Sequence, residues 1–426
     1  MNMPESEDTV ERVVRDAVER GRHLRRRRYQ ARVAVTGTLA AALVAGMLVL
    51  VTTAGSSKSP SGTKVTTASS PSTTAAPPTS TTPSHPSDTV PVADRIPADF
   101  QPSSFTAVSL QQWWLLGTAT CSSGSGTCNA IVRTTNSGSS FTAISSPPAG
   151  AVAQVAFAAN ASDGYAFDPQ LWETTNGGSS WSSVEVSGVG LSGATVSEFQ
   201  VAGNKAYALV CPAASGSGNC QAPQLLSSVV GSSAWQKVTM PVALSYGASF
   251  ALGGANLYIL SGNLSSKPVL LYSSDGGASF TQRVDPCTPG LGGTLTTSAD
   301  GSAGSATLWA ACPTGTQAGT WLSTSGGASW QRRASGFDNA LQLTAASATV
   351  ALAWPAGAAA STLERTSNGG TSFSVVLSPS STARVTWAGF SDTSRAYALV
   401  QSGSGSMILY ESNDGGATWS VIAIKS

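Results

Sequence analysis

The sequence predicts an all-β fold: a seven-bladed β-propeller of four-stranded antiparallel blades, preceded by one transmembrane helix and a disordered linker. Three observations lead there. A turn of the form Ser/Thr-x-Asp/Asn-x-Gly-x-Ser/Thr-Trp/Phe recurs between Thr134 and Trp419. Its copies begin 40 to 53 residues apart, the length of one four-stranded blade. An uncharged 23-residue stretch and a Ser/Thr/Pro-rich segment stand ahead of the first copy.

The chain divides in order. Residues 1–32 form a basic tail, expected to be partly helical because Val10, Val13, Val14, Ala17 and Val18 recur at helical spacing. Arg25, Arg26, Arg27, Arg28 and Arg32 then abut the uncharged stretch 33–55, long enough to cross a bilayer. That apolar core exceeds the length of a secretory signal, and no cysteine near it offers a lipid anchor. Positive flanks stay in the cytoplasm, so the tail is expected inside and everything after residue 55 outside the cell membrane. Residues 56–95 hold too few apolar side chains to bury a core and are expected to form a disordered stalk.

Residues 96–426 carry the repeats. Six copies start at Thr134, Thr174, Ser273, Ser323, Thr366 and Ser412, and a degenerate one, SSVVGSSAW, starts at Ser227. Before each turn comes an alternating strand, such as Val155–Phe157 or Phe250–Leu252. A second strand follows, centred on Trp114, Tyr165, Tyr207, Tyr258, Trp309, Ala351 or Tyr397. A third strand runs into the turn and a fourth leaves it. From the second-strand centre to the third turn position is 16 or 17 residues in the last four blades. The same interval is 22 in blades one and three and 11 in blade two. The last turn is followed by enough chain for one outer strand, so ring closure is expected from packing of the first and last blades.

Within the turns, Asn136, Asn176, Asp275, Asn368 and Asp414 are placed to accept hydrogen bonds from backbone amides of their own turn. Gly138, Gly178, Gly231, Gly277, Gly327, Gly370 and Gly416 occupy a position that demands positive φ. The closing rings Phe141, Trp181, Trp235, Phe280, Trp330, Phe373 and Trp419 are expected to pack between neighbouring sheets. Six cysteines fall into neighbouring pairs, Cys121 with Cys128, Cys211 with Cys220, and Cys287 with Cys312. An even count outside the membrane reads as disulfides, the first two pairs stapling the two lengthened hairpins.

These turns resemble the Asp-box, or BNR, repeats of sialidases, sortilin-type receptors, xyloglucanases and photosystem II assembly factor-type propellers. The resemblance covers residues 96–426 and implies the fold rather than a reaction, because such boxes lie away from active sites. Seven copies are closer to the assembly-factor and glycanase propellers than to six-bladed sialidases.

Few function classes fit the residues. Charged residues are 11% of the chain, with nine arginines in the first 32 residues, so the propeller lacks the clustered cations that nucleic acid requires. His23 and His85, the two histidines, precede the repeats, which removes Ser-His-Asp catalysis and leaves no zinc-type ligand set. A sialidase needs three converging arginines. Arg95-Ile96-Pro97 spells an Arg-Ile-Pro motif of that family, but it ends the stalk. Arg133, Arg365, Arg332 and Arg333 adjoin turns and belong to blade edges. A glycosidase needs two neighbouring carboxylates. Glu198 and Asp338 are expected near innermost strands, facing the channel, with nothing to pair them. Glu173, Glu364 and Glu411 precede turns, while Asp163, Asp300 and Asp392 sit in first hairpins. Trp113, Trp172, Trp309, Trp354 and Trp387 read as packing between blades before they read as sugar platforms. No catalytic, cofactor or metal residue is assigned. The expectation is a single-pass membrane protein whose extracellular propeller is a non-catalytic scaffold for a glycan or protein partner. A sialidase-like glycosidase is the alternative.

Overall fold

The computed structural model describes residues 95–425 except 186–193, 213–221, 246, 262–268, 288–291, 301–306, 315, 339–340 and 356–360. The basic tail, the expected membrane helix and the stalk up to residue 94 lie outside the described residues, among which no helix is long and apolar enough to cross a membrane.

Among the described residues, strands β1 to β28 form seven four-stranded antiparallel sheets, each from four consecutive strands in the spatial order of the chain. The first blade is β1 (Gln101–Ala107), β2 (Trp113–Thr120), β3 (Thr127–Thr134) and β4 (Thr142–Ile144). The last is β25 (Arg384–Phe390), β26 (Ala396–Gln401), β27 (Met407–Ser412) and β28 (Ser420–Ile422). The fold is the seven-bladed propeller that the repeat spacing predicts.

Second strands are apolar on both faces because each lies between two neighbouring blades. Trp113–Leu116 in β2 and Ala396–Val400 in β26 are buried without a break. Most fourth strands face solvent and are short, and several are polar, as in Ser182–Ser183 (β8) and Gln236–Lys237 (β12). Brief polar edges limit pairing with other chains.

The core is a set of wedges between blades. Phe199 and Trp235 of blade three pack on Tyr165 and Phe167 of blade two, and Trp114 stacks on Phe157 across the next seam at 4.1 Å. The ring closes without an exchanged strand. Phe105 and Trp113 of blade one meet Trp387 and Tyr397 of blade seven, with centroid separations of 4.5 to 5.7 Å. Two hydrogen bonds add to this seam, Phe141 N to Lys425 O at 2.9 Å and Met407 N to Gln101 Oε1 at 2.9 Å. Ile96 and Phe100 pack into the same cluster, so the entering chain helps to seal the ring.

Two acidic residues were expected near innermost strands. Asp338 ends β20 (Gln331–Asp338), the outermost strand of blade five, three residues before β21 (Leu341–Ala345), the innermost strand of blade six. An eight-residue fourth strand carries the chain further across the blade than the two- to four-residue fourth strands elsewhere. Glu198 does lie on an innermost strand, β9 (Thr195–Ala202), but it is buried and bonded to the neighbouring blade.

Candidate binding face

The strand order separates the loops into two faces. One carries the glycine turns between third and fourth strands and the first hairpins. The other carries the hairpins between second and third strands and the crossovers to the next blade.

The glycine-turn face is built from a repeated hydrogen-bond set. Thr134 Oγ1 donates to Asn136 Oδ1 at 2.8 Å and accepts from Gly138 N at 3.1 Å, while Ser140 N donates to Asn136 Oδ1 at 3.0 Å. The bonds recur around Asn176, Asp275, Asn368 and Asp414. Where the side chain is an amide it donates to the last hydroxyl of the turn; where it is a carboxylate that hydroxyl donates to it, Thr418 to Asp414 at 2.6 Å. Those bonds, the Thr418 hydroxyl first, hold the Asp414 carboxyl down at about 2, and Ser279 holds Asp275 far below the carboxylate range. Ser325 replaces the Asx residue in blade five and accepts from Ser329 N at 3.0 Å. The degenerate turn in blade three instead closes through Ser232 N to Val229 O at 3.0 Å.

Each turn glycine has positive φ and abuts a neighbour. A Cβ on Gly370 (φ +80) falls 2.8 Å from the Trp309 ring of blade five, and one on Gly178 falls 2.5 Å from Ile144 of blade one. Cations complete the joint. Arg365 Nε donates to Gly415 O at 2.7 Å, Lys205 Nζ to Gly276 O at 3.1 Å, and Arg283 to the carbonyls of Ser325 and Gly326. Every one of these bonds reaches from one blade to the turn of the next. The closing indoles of blades two and five do likewise in reverse, Trp181 Nε1 to Ser145 O at 2.9 Å and Trp330 Nε1 to Val284 O at 2.8 Å.

Around the central channel, inner strands of adjacent blades run side by side and are joined by side chains. Glu198 Oε2 accepts from Phe250 N at 3.2 Å, and Gln200 both accepts from Leu252 N at 3.2 Å and donates to Phe250 O at 2.8 Å. Ser104 Oγ accepts from Val155 N at 3.1 Å. The Glu198 carboxylate is thereby a structural acceptor for a backbone that has no strand partner on that side.

The opposite face carries the variation. Cys121–Cys128 closes the β2–β3 hairpin, and Cys287–Cys312 ties the crossover after β16 (Thr281–Arg283) to β18 (Leu308–Pro313). Cys211 is also disulfide-bonded, and its expected partner Cys220 lies outside the described residues. Beside Cys287, Asp285 Oδ1 accepts from Cys287 N at 2.7 Å while Oδ2 is buried with no hydrogen-bond partner among the described residues. Burial pushes the Asp285 carboxyl up to about 6. In the shortest hairpin, Asp168 has φ +66 and receives Gln154 Nε2 at 3.2 Å; burial raises its carboxyl as well. Asp99 lies where the chain enters, its carboxylate held low by the Thr120 hydroxyl and amide. Arg384 starts the last inner strand and donates to Gln401. Sequence patterning singled out neither Asp285, Asp168 nor Arg384; the Asp-Pro pair at residues 168–169 in the shortened hairpin was the available signal.

The five tryptophans divide. Trp113, Trp309, Trp354 and Trp387 are core, and Trp172 alone among them is partly open, with Nε1 donating to Gln170 Oε1 at 3.1 Å. No group of three or more potential metal ligands occurs among the described residues.

No protein-family model matches the chain, and no curated protein matches it significantly. Solved structures do. The chain is similar to YCF48 bound to D1 peptide, at 14% identity, covering 78% of this chain and 98% of that one with a TM-score of 0.51. It is similar to the β-propeller domain of the Trilobed protease from Pyrococcus furiosus, described as having an open velcro topology, at 6% identity, 78% and 98% coverage and a TM-score of 0.53. Pyrococcus horikoshii acylaminoacyl peptidase matches at 8% identity and a TM-score of 0.52, over 76% of this chain and 52% of that one. At these identities the likeness is one of fold alone, that of the all-β seven-bladed propeller.

Proposed function

We propose that this chain is a membrane-anchored extracellular scaffold whose hairpin-and-crossover face holds a protein partner without catalysing a reaction on it. The carrying observation is the division of polar groups. Arg283, Arg365 and Lys205 bond the turns of neighbouring blades, and Glu198 serves the inner ring, so the groups a glycosidase or sialidase would draw on are committed to the frame. Variable, disulfide-tied loops on one face of a rigid ring are the usual seat of recognition. A protein of the same fold, YCF48, is known in complex with a peptide. The glycine turns are Asp-boxes in this reading, and residues 33–55 anchor the chain with the tail inside.

Two measurements on the full-length chain test this. A panel of fluorogenic sialosides and glycosides should remain unhydrolysed, and a surface protein should be retained in pull-down from intact cells. Turnover with the ordinary dependence on enzyme concentration, abolished by replacing Glu198 or Arg384, would establish the glycosidase alternative instead.

A further inference from the structure

Between the outer strands of blades four and five the rim departs from the pattern of its neighbours. At three rim seams two partly buried rings pack on one and the same interblade cluster: Trp172 and Trp181, Trp321 and Trp330, and Tyr410 and Trp419. In each, the third-strand ring faces a fourth-strand residue in cross-strand register. That residue is Ser183 opposite Trp172, Val421 opposite Tyr410, and Arg332 opposite Trp321. The middle seam alone of these three therefore joins two indoles with a cation.

Arg332 is exposed and its guanidinium carbon lies over the Trp321 ring, 5.7 Å from the ring centre. Among the described residues it has no hydrogen bond and no ion pair, unlike Arg283, Arg333, Arg365 and Arg395. Val284, whose carbonyl receives the Trp330 indole, is 54% exposed and widens the apolar floor. The edge of β20 is a poor template for an added strand, because its register shifts twice, Gly336 has φ +97, and Ala334 N already donates to Gly370 O. Two open indoles beside an unpaired guanidinium suit a ring with an apolar C–H face and a carboxylate at its edge.

We propose that this rim patch is a subsite for an acidic polysaccharide, a uronic acid unit setting its carboxylate on Arg332 and its C–H face on Trp321 and Trp330. The site lies on the rim, apart from the hairpin face, and does not depend on the scaffold reading. A planar guanidinium binds a carboxylate through two parallel hydrogen bonds, which an ammonium cannot reproduce.

Binding of polygalacturonate to the full-length chain tests it, with neutral dextran and poly-glutamate as the other probes. Arg332→Gln should weaken polygalacturonate binding about tenfold or more, the range of a charge-assisted bidentate contact. Arg332→Lys should recover part of it, and Lys237→Gln, which removes an exposed cation two blades away, should leave it unchanged. Arg332 is exposed, so its replacement does not threaten folding. Equal binding by wild type and Arg332→Gln would overturn the site. Equally tight binding of dextran would overturn the role of the carboxylate, and equally tight binding of poly-glutamate would overturn the saccharide class.

Discussion

The two faces of the ring are built on different rules. On the glycine-turn face, six of the seven turns share one backbone solution, and every turn, the degenerate one included, sets a positive-φ glycine with little room for a Cβ against its surroundings. On the hairpin face the connections vary, from three residues between Pro313 and Gln317 to twelve between Cys211 and Gln224, and two carboxylates there are held partly out of water. Repetition on the first face leaves little freedom for a ligand. Variation on the second costs the ring nothing, because its seams are closed elsewhere. Where the chain repeats itself it is making a frame, and where it stops repeating it has surface to use.

The sharpest break of that contrast comes from two glycines with similar backbone. Gly370 (φ +80) would place a Cβ against Trp309 and Arg333, whereas Gly405 (φ +91), in the last hairpin of the opposite face, has open space around it. Gly370→Ala should cost several kcal/mol, from positive-φ strain together with overpacking. Gly405→Ala should cost about 1 kcal/mol, from the strain alone. Thermal unfolding of both variants checks this, and equal losses would mean that the turn face is no more tightly packed than the loops.

Disulfides come next. Cys287–Cys312 encloses 25 residues and Cys121–Cys128 encloses seven. The loop-entropy relation gives about 3.5 kcal/mol for the first and about 2 kcal/mol for the second. Paired Cys→Ser variants should rank in that order in denaturant midpoint, and mass spectrometry of the intact chain should find no free thiol.

Acid sensitivity separates the faces by sign. Asp285 has its folded value raised to about 6 from 3.8, so the stability linked to it is full below about 3.8 and is lost as pH rises through about 6. Wild type should lose a few degrees of Tm against Asp285→Asn between pH 4 and pH 7, solvent screening of a half-buried group keeping the effect near 1 kcal/mol. Asp414 behaves oppositely. Its contribution is present above 3.8 and lost as pH falls through about 2. At neutral pH Asp414→Asn should change stability by less than about 0.5 kcal/mol, since the turns of Asn136, Asn176 and Asn368 work with an amide and a rotated hydroxyl.

How much of this was legible in the sequence follows the same division. Strand order, blade number and the positive-φ glycines were readable because a turn of fixed chemistry repeats at a fixed interval, and the strands between turns have no other way to bury both faces. Glu198 was placed on the right strand but not in the right role, since its partner Phe250 N is 52 residues away. Four of the five candidate platform tryptophans proved to be core. The open pair, Trp321 and Trp330, was passed over because a turn-closing indole and a strand indole look alike until their exposure is known.

The central claim is that the partner meets the hairpin face and not the glycine-turn face. A photocrosslinking residue placed singly at Ser125, Gln170 or Ser404 on the first, and at Ser179, Thr371 or Ala417 on the second, tests it in intact cells. The account predicts one shared protein adduct from the hairpin-face positions and none from the turn-face positions. Adducts confined to Ser179, Thr371 and Ala417 would contradict it.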